Sequence, residues 1–329
     1  LPICYEEYTH YVPLNSDLLK QYVINLATEY ANYCTGIIAP SGSIRKLIFS
    51  RGVKKPIKVI PTGVDVKFFQ QGNGWDYRNK IDLPEDTLVI GHVGRLAPEK
   101  NLSYLAQSVA EFLKNKDRAV FMVAGSGPDE ATIRQIFEEK NIADKLVMPG
   151  TVKGQALTDF YNAMDIFVFA SKTETQGMVL TEAMAAGKPV VALEAPGVRD
   201  VMTEGKNGCM LAEGASPETF AGAIEKLAHA MKNKKHWQKR ALQTANEFSR
   251  QNSAQKMEQF YKAMISRKSG GDTFQKKEQD DWEYTLQMLK TEWELIAQKA
   301  RVAKEAIEET FLSSSDNTDK NGENNSEKK

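Results

Sequence analysis

Seven short apolar runs, separated by amphipathic stretches, restrict this chain more than any other feature. "GIIA" (36–39), "IKVIP" (57–61), "LVIGHVG" (88–94), "AVFMVAG" (119–125), "KLVMPG" (145–150), "DIFVFAS" (165–171) and "PVVAL" (189–193) each have the length of one strand. Being mostly apolar rather than alternating, they read as buried strands. Helical patterns lie between them. In "NLSYLAQSVAEFL" the residues Leu102, Leu105, Val109, Phe112 and Leu113 share one helical face, and "ALTDFYNAM" repeats the periodicity. "SPETFAGAIEKLAHAM" opens on Ser216 as an N-cap with Pro217 in the first turn, and sets Phe220, Ile224, Leu227 and Met231 on one stripe. Strand then helix, repeated from Thr35 to Leu211, predicts an α/β protein whose parallel sheet is covered on both faces.

Charge and cysteine content remove other classes. The 329 residues carry 43 basic and 43 acidic groups, a balance that speaks against nucleic acid as a partner. Cys4, Cys34 and Cys209 are far apart and form no C-x-x-C, so neither a disulfide framework nor a metal site follows, and a cytoplasmic setting fits. No apolar run approaches the roughly 18–20 residues of a membrane span. The opening "LPICYEEYTHY" has no basic n-region, apolar h-region or initiator methionine, and reads as the interior of a longer chain.

Ligands of open parallel sheets bind beyond the carboxyl ends of the strands, so the loops there carry the functional information. The loop after 88–94 supplies Arg95 and Lys100, the one after 119–124 is "GSGP", and the one after 165–171 is "KTETQG". Gly94, Gly125 and Gly127 let backbone N–H groups approach a phosphate, helix N-termini add partial positive charge, and Arg95 with Lys100 add formal charge. Each feature also has a structural reading: a lone G-x-G is a turn, and the two cations are solvated surface charges. Glu182 is harder to place that way. Flanked by Leu180, Ala183 and Met184, it is a carboxylate on the packed side of a helix and needs a hydrogen-bond partner. A carboxylate only accepts, which suits a ribose diol. Glu174, eight positions earlier, then faces the second sugar of a nucleotide-diphosphate sugar.

"VIPTGVD" (59–65), "GHVGRLAPEKN" (91–101), "VAGSGP" (123–128), "MPGTV" (148–152) and the Glu-x7-Glu segment from Glu174 to Glu182 stand in the order and spacing of glycosyltransferase family 4. The chain resembles these retaining enzymes over about residues 1–265. The resemblance implies a GT-B fold, two Rossmann-like domains facing a cleft, with the N-terminal one incomplete. It implies that Arg95 and Lys100 hold the diphosphate, Glu182 the ribose, and Glu174 with Thr175, Gln176, Gly177 and Met178 the donor sugar. Gly94, Gly125, Gly127, Val152 and Val179 complete the donor-binding set. Neither cofactor nor metal is implied, and the chain contains no Asp-x-Asp. Two other readings share this site: a nucleotide-sugar epimerase, and a fragment that binds nucleotide or a partner without transfer.

Within the family, "YEEYTHYVP" (5–13) resembles bacterial diacylglycerol α-glucosyltransferases, which implies UDP-glucose as donor and a lipid or carbohydrate acceptor, diacylglycerol first. The His-Thr pair that commonly precedes that run falls at or before Leu1–Cys4, and "LPIC" does not match it. Between Glu29 and Asp65 there is no acidic residue, while Arg45, Lys46, Arg51, Lys54, Lys55 and Lys58 occur there. They form either a peripheral contact with anionic head groups at the inner face of the membrane or a solvated helix and loop. The expected organisation is a remnant acceptor domain (1–56), a donor domain (57–247), a returning helix (248–267) with Met257, Phe260, Tyr261 and Met264 buried, a heptad-patterned helix (268–312) and a disordered tail (313–329). Trp282, Leu286, Leu289, Trp293, Ile296, Ala300, Ala303 and Ile307 keep a 3.5-residue period, which fits self-association through 282–307 or docking on the chain's own body.

Overall fold

The computed structural model describes residues 17–268. The chain divides into two compact units, Leu1–Met264 and Ile265–Lys329. Of the second, only the end of one helix is described. The "YEEYTHYVP" run, the heptad segment and the tail lie outside the described residues.

Helix α1 (Asp17–Tyr33) leads through β1 (Ile37–Ala39) and α2 (Gly42–Ser50) to β2 (Ile57–Val59), and α3 (Val66–Gln70) and α4 (Gly74–Lys80) follow. Strict alternation then begins: β3 (Leu88–Val93), α5 (Leu102–Leu113), β4 (Ala119–Ala124), α6 (Glu130–Glu139), β5 (Leu146–Gly150) and α7 (Gln155–Ala163). It continues with β6 (Ile166–Phe169), α8 (Met178–Ala185), β7 (Val190–Leu193), α9 (Pro196–Val201), β8 (Gly208–Leu211), α10 (Pro217–Ala230), α11 (Lys234–Glu247) and α12 (Arg250–Lys268).

Strands β1 and β2 pair in parallel as a two-stranded sheet, and β3 to β8 form a six-stranded parallel sheet in the order β5-β4-β3-β6-β7-β8. The expected boundary at Ile57 is corrected by this pairing: Ile57–Val59 is bonded to Ile37–Ala39, so the change of sheet comes after Val59. In the large sheet the chain winds outward from β3 to β5, then returns to the other side of β3 to lay down β6. That reversal is a topological switch point, where the loops after the two central strands diverge and leave a crevice.

The sheet is apolar on both faces because its strands are apolar at nearly every position, His92 of β3 being the buried exception. Along β4, Val120, Met122 and Ala124 enter one cluster with residues of α7, α8 and α11, while Phe121 and Val123 enter another with α5, α6 and α10. Helix α10 follows its pattern: the Ser216 side chain accepts from the Thr219 N–H, Phe220, Ile224 and Leu227 are buried, and Met231 packs beside them. Each such large apolar side chain contributes about 1.5–3 kcal/mol when fully buried.

Two segments connect the sheets side by side. The Val64 N–H donates to the Phe248 carbonyl (2.9 Å), the Arg250 N–H donates to the Val64 carbonyl (3.0 Å), and Arg250 pairs with Asp65 at 2.9 Å. Helix α12 then returns along the first sheet, with Phe260 and Met264 closing on Gly36 just before β1. The expected buried face needs one correction. Tyr261 is 56% exposed, since a residue adjacent to Phe260 points about 100° away around a helix.

Candidate functional site

At the switch point the loops after β3 and β6 meet. From Gly94 the chain makes a short 3-10 turn over Pro98–Lys100, and Asn101 in the left-handed region (φ 55°) redirects it into α5. This presents Lys100 to the crevice. Its Nζ lies 3.3 Å from Glu174 Oε2, with the two side chains only 23% and 14% exposed, and 5.9 Å from the centre of the Phe169 ring. The other carboxylate oxygen of Glu174 accepts from the Gly177 N–H (2.9 Å) and the Gln176 N–H (3.3 Å). A carboxylate immediately before α8 is favoured by the helix dipole. Buried Gln176 donates from its side chain to the Thr62 carbonyl (3.0 Å), and the Gly197 N–H donates to the Glu174 carbonyl (2.7 Å). The loop is thus fixed from two sides, and Lys100, Glu174, Gln176 and Gly177 are brought together directly.

The glycines serve packing before anything else. Gly94 N–H donates to the Ala124 carbonyl (3.0 Å), Leu96 N–H to Ser126 (2.9 Å) and Gly125 N–H to Gly150 (2.9 Å), so the loops after β3, β4 and β5 cross in contact. Gly125 (φ 146°) and Gly127 (φ 152°) have positive φ, and a side chain on them would collide with the carbonyl oxygens of Gly94 and Leu96. Val152, half-buried after β5, packs against the same core. Arg95 beside this crossing is 53% exposed, and its guanidinium pairs with Glu99 one turn on.

Beneath Gly94 lies His92, fully buried. Its Nδ1 is 3.0 Å from the Val168 carbonyl oxygen; a carbonyl only accepts, so Nδ1 carries the proton and Nε2 is left as an acceptor. Nε2 has no partner among the described residues. Burial lowers the imidazole pKa to about 4, and Lys100 acts in the same direction.

Glu182, on the second turn of α8, is half-buried and accepts from the Tyr161 hydroxyl at 2.8 Å. Tyr161 comes from α7 and is fully buried, its ring against Phe69 and Phe167. Burial raises the Glu182 pKa while the tyrosine bond opposes the rise. Burial, with Glu182 beside it, also holds the phenol protonated. Glu182 has no second protein donor among the described residues, so its other oxygen is open to solvent or to a ligand. Sequence reading missed Tyr161: an aromatic on the apolar stripe of a helix signals packing, and nothing in "FYNAM" announces a hydroxyl bonded to a residue 21 positions away.

Thr175 and Glu174 border a cavity of about 470 Å³ whose opposite wall is α2. Asp200 holds that helix in place: its two carboxylate oxygens accept from the Gly42 N–H (2.9 Å) and the Ser43 N–H (3.1 Å), and the Ser43 hydroxyl donates to the Pro196 carbonyl (2.9 Å). Met178 is exposed and Val179 half-buried at the start of α8.

The family model described as "Glycosyl transferases group 1" matches residues 73–244. Among curated proteins, the alpha-monoglucosyldiacylglycerol synthase of Streptococcus pneumoniae is 28% identical over 225 residues, covering 67% of this chain and 50% of that protein. The synthase of the same name from Acholeplasma laidlawii is 28% identical over 217 residues, covering 62% and 54%. The chain spans about half the length of these relatives. Among solved structures, Anabaena Alr3699/HepE in complex with UDP-glucose superposes with a TM-score of 0.66 at 22% identity, over 74% of this chain and 68% of that one. Sucrose-phosphate synthase from Thermosynechococcus elongatus superposes with a TM-score of 0.66 at 21% identity, over 80% and 66%. These likenesses establish the fold, mixed α/β with a parallel sheet as in GT-B glycosyltransferases. The family match begins at α4, takes in the whole six-stranded sheet, ends within α11 and so covers more than half of the chain, which therefore belongs to the group 1 glycosyl transferases.

Proposed function

We propose that the chain carries the donor site of a retaining hexosyltransferase that moves glucose from UDP-glucose to a lipid acceptor such as diacylglycerol. One observation carries this reading: at the switch point, Glu182 offers a carboxylate with one protein donor among the described residues, while Glu174 and Lys100 stand fixed across the crevice. Glu182, steadied by Tyr161, accepts the ribose hydroxyls. Lys100, Arg95 and the N-terminus of α8 face the diphosphate and stabilise its charge as the bond to the sugar breaks. Glu174, tied by the amides of Gln176 and Gly177, accepts sugar hydroxyls rather than attacking as a covalent nucleophile. The names of the curated relatives support glucosyl transfer to a diacylglycerol, and the UDP-glucose named with the Anabaena protein supports the donor.

Among the described residues no helix is long and apolar enough to cross a membrane. The basic segment 45–58 then provides peripheral contact at the inner face of the membrane. Calorimetric titration with UDP, without added metal, tests the donor site. Glu182→Ala is expected to weaken UDP by about 1–3 kcal/mol, the loss of hydrogen bonds to a charged acceptor. Unchanged affinity removes the ribose assignment, and a folded wild type that does not bind UDP removes the donor reading.

A further inference from the structure

His92 is a buried group that neither packing nor the donor site yet accounts for. Its ring lies beside Phe167 and Phe169 of β6, with centroids 6.0 and 6.1 Å away and planes inclined by 19° and 24°. A leucine or methionine would fill such a place with no polar atom to satisfy, whereas the imidazole brings Nε2, which has no partner among the described residues. The Val168 carbonyl fixes Nδ1 as the protonated nitrogen, so this orphan is an acceptor. It faces the loop after β3, since a side-chain carbon on Gly94 would stand only 3.3 Å from Nε2. On the donor reading, the other side of that loop meets the diphosphate.

The charges around the ring are matched in pairs. Lys100, on the turn above Phe169, opposes a second proton on the imidazole, and its own partner is Glu174. Arg95 on the loop pairs with Glu99. Glu182 is bonded to Tyr161, whose ring packs on Phe167. On the β4 side His92 is in register with Val123, which brings no charge. Burial therefore holds the imidazole neutral, its pKa lowered to about 4. A diphosphate changes that balance, because its negative charges enter a poorly screened region and engage Lys100, the cation that opposes the proton.

We propose that His92 is a proton site coupled to the diphosphate: a nucleoside diphosphate at the Gly94 loop draws a proton from solvent onto Nε2, and the imidazolium joins Arg95 and Lys100 in holding it. The role rests on the donor reading of this site. Nδ1–H stays on the Val168 carbonyl, Nε2–H is new, and the proton returns to solvent when the nucleotide leaves. By linkage, a ligand that raises the proton affinity of His92 is itself bound more tightly once that proton is on. The gain is absent well above the liganded pKa and grows as the pH falls towards about 4. This is the opposite sense to Glu182, whose protonation costs the site an acceptor.

The test follows the carbon-bound ring protons of His92 by NMR in the full chain, from pH 7.5 to 4.5, free and saturated with UDP-glucose. Both phosphates of that probe are substituted at each end, so it lacks the ionisation of a terminal phosphate at about pH 6. The signal is assigned by its loss in His92→Gln, with His92→Asn in its place should that variant not fold. On saturation its midpoint is expected to rise by about one pH unit or more. In parallel titrations, the affinity of wild type for UDP-glucose relative to that of the variant should grow about two- to fourfold between pH 7.5 and pH 5. A midpoint that stays or falls on saturation overturns the proposal, as does a ratio of affinities that is constant across this range. A folded wild type that does not bind UDP-glucose at pH 7.5 is a different result: the donor reading falls first and takes the role of His92 with it.

Discussion

The two ends of the six-stranded sheet both bury carboxylates, and they treat them in opposite ways. At the amino end, Asp165 just before β6 accepts from Arg78 (2.8 Å) and the Val89 N–H (3.0 Å) on one oxygen and from Lys234 (2.7 Å) on the other. Arg78 completes its fork on the carbonyls of Ala163, Glu85 and Thr87, and the buried ammonium of Lys188 donates to the Asn162 carbonyl (2.8 Å). Burial alone would raise the Asp165 pKa, but Lys234 and Arg78 outweigh it and hold the carboxyl below its ordinary value. At the carboxyl end Glu182 has a single donor, Tyr161, and His92 Nε2 has no partner among the described residues. A network closed by the chain itself satisfies its buried charges, whereas an open one leaves hydrogen-bonding capacity unused at the expense of stability.

That contrast predicts a crossed pattern of mutational effects, the largest at the amino end. Asp165→Ala leaves Arg78 and Lys188 buried without their anion and is expected to destabilise the fold by about 3–5 kcal/mol in urea unfolding, with UDP affinity unchanged in the folded fraction. Glu182→Ala should do the reverse. A small stability loss for Asp165→Ala would erase the distinction between the two ends.

Titration sharpens the contrast. His92 has a pKa of about 4 in the fold against an ordinary 6.5, so between these values the unfolded chain binds the proton and the folded chain does not. Stability therefore falls as pH drops from 6.5 to 4, by up to about 3 kcal/mol, and His92→Gln should flatten that limb of a stability-against-pH curve. At the other end, burial lowers Lys188 to about 8 from 10.5. The unfolded chain again holds the proton longer, so stability rises with pH from 8 to 10.5, and Lys188→Met should remove that rise. An acid limb that is the same with and without His92 would show that its neutral buried state is not a source of acid sensitivity.

Tyr161→Phe separates positioning from packing. The ring and its burial remain and only the hydroxyl is lost, so the expected loss of stability is about 1 kcal/mol. Because that hydroxyl opposes the burial-driven rise in the Glu182 pKa, its removal should raise that pKa further. UDP binding should then fail at a higher pH than in wild type when measured from pH 8 down to pH 5. A weaker affinity with an unshifted pH profile would make Tyr161 a packing residue.

What sequence could and could not disclose follows from the range of the interactions. The central strands β3, β4, β6 and β7 were legible because burial on both faces leaves continuous apolar runs, whereas β2 and β5 are only partly buried. Strand β8 was not, since "GCML" pairs with β7 at the sheet edge and opens on Gly208, whose closeness to the Val190 carbonyl leaves no space for a side chain. Glu182 was legible as a carboxylate on a packed helical face. Its partner was not, nor was the Lys100–Glu174 pair across 74 positions or the Asp165 knot across 87 and 69. In those cases spacing carries no information and only the topology brings the groups together. Arg95 shows the converse: the loop placed it correctly after β3, but the near carboxylate that it meets, Glu99, follows from a local turn that the motif does not encode.

That local pair supplies the smallest predicted effect. Glu99 competes with any phosphate for Arg95, and an ion pair at a half-exposed guanidinium contributes only about 0.2–1 kcal/mol. Glu99→Gln releases Arg95 from that carboxylate and removes a negative charge beside the loop, so UDP should bind more tightly by a few tenths of a kcal/mol, on the order of twofold. Salt separates a phosphate contact from a general change of field. A gain that persists at about 0.5 M salt, where the screening length is only a few ångströms, places Arg95 on the diphosphate. No gain at any salt concentration would leave Lys100 and the start of α8 to meet that charge by themselves, and the open end of the sheet would hold one cation fewer than its loops provide.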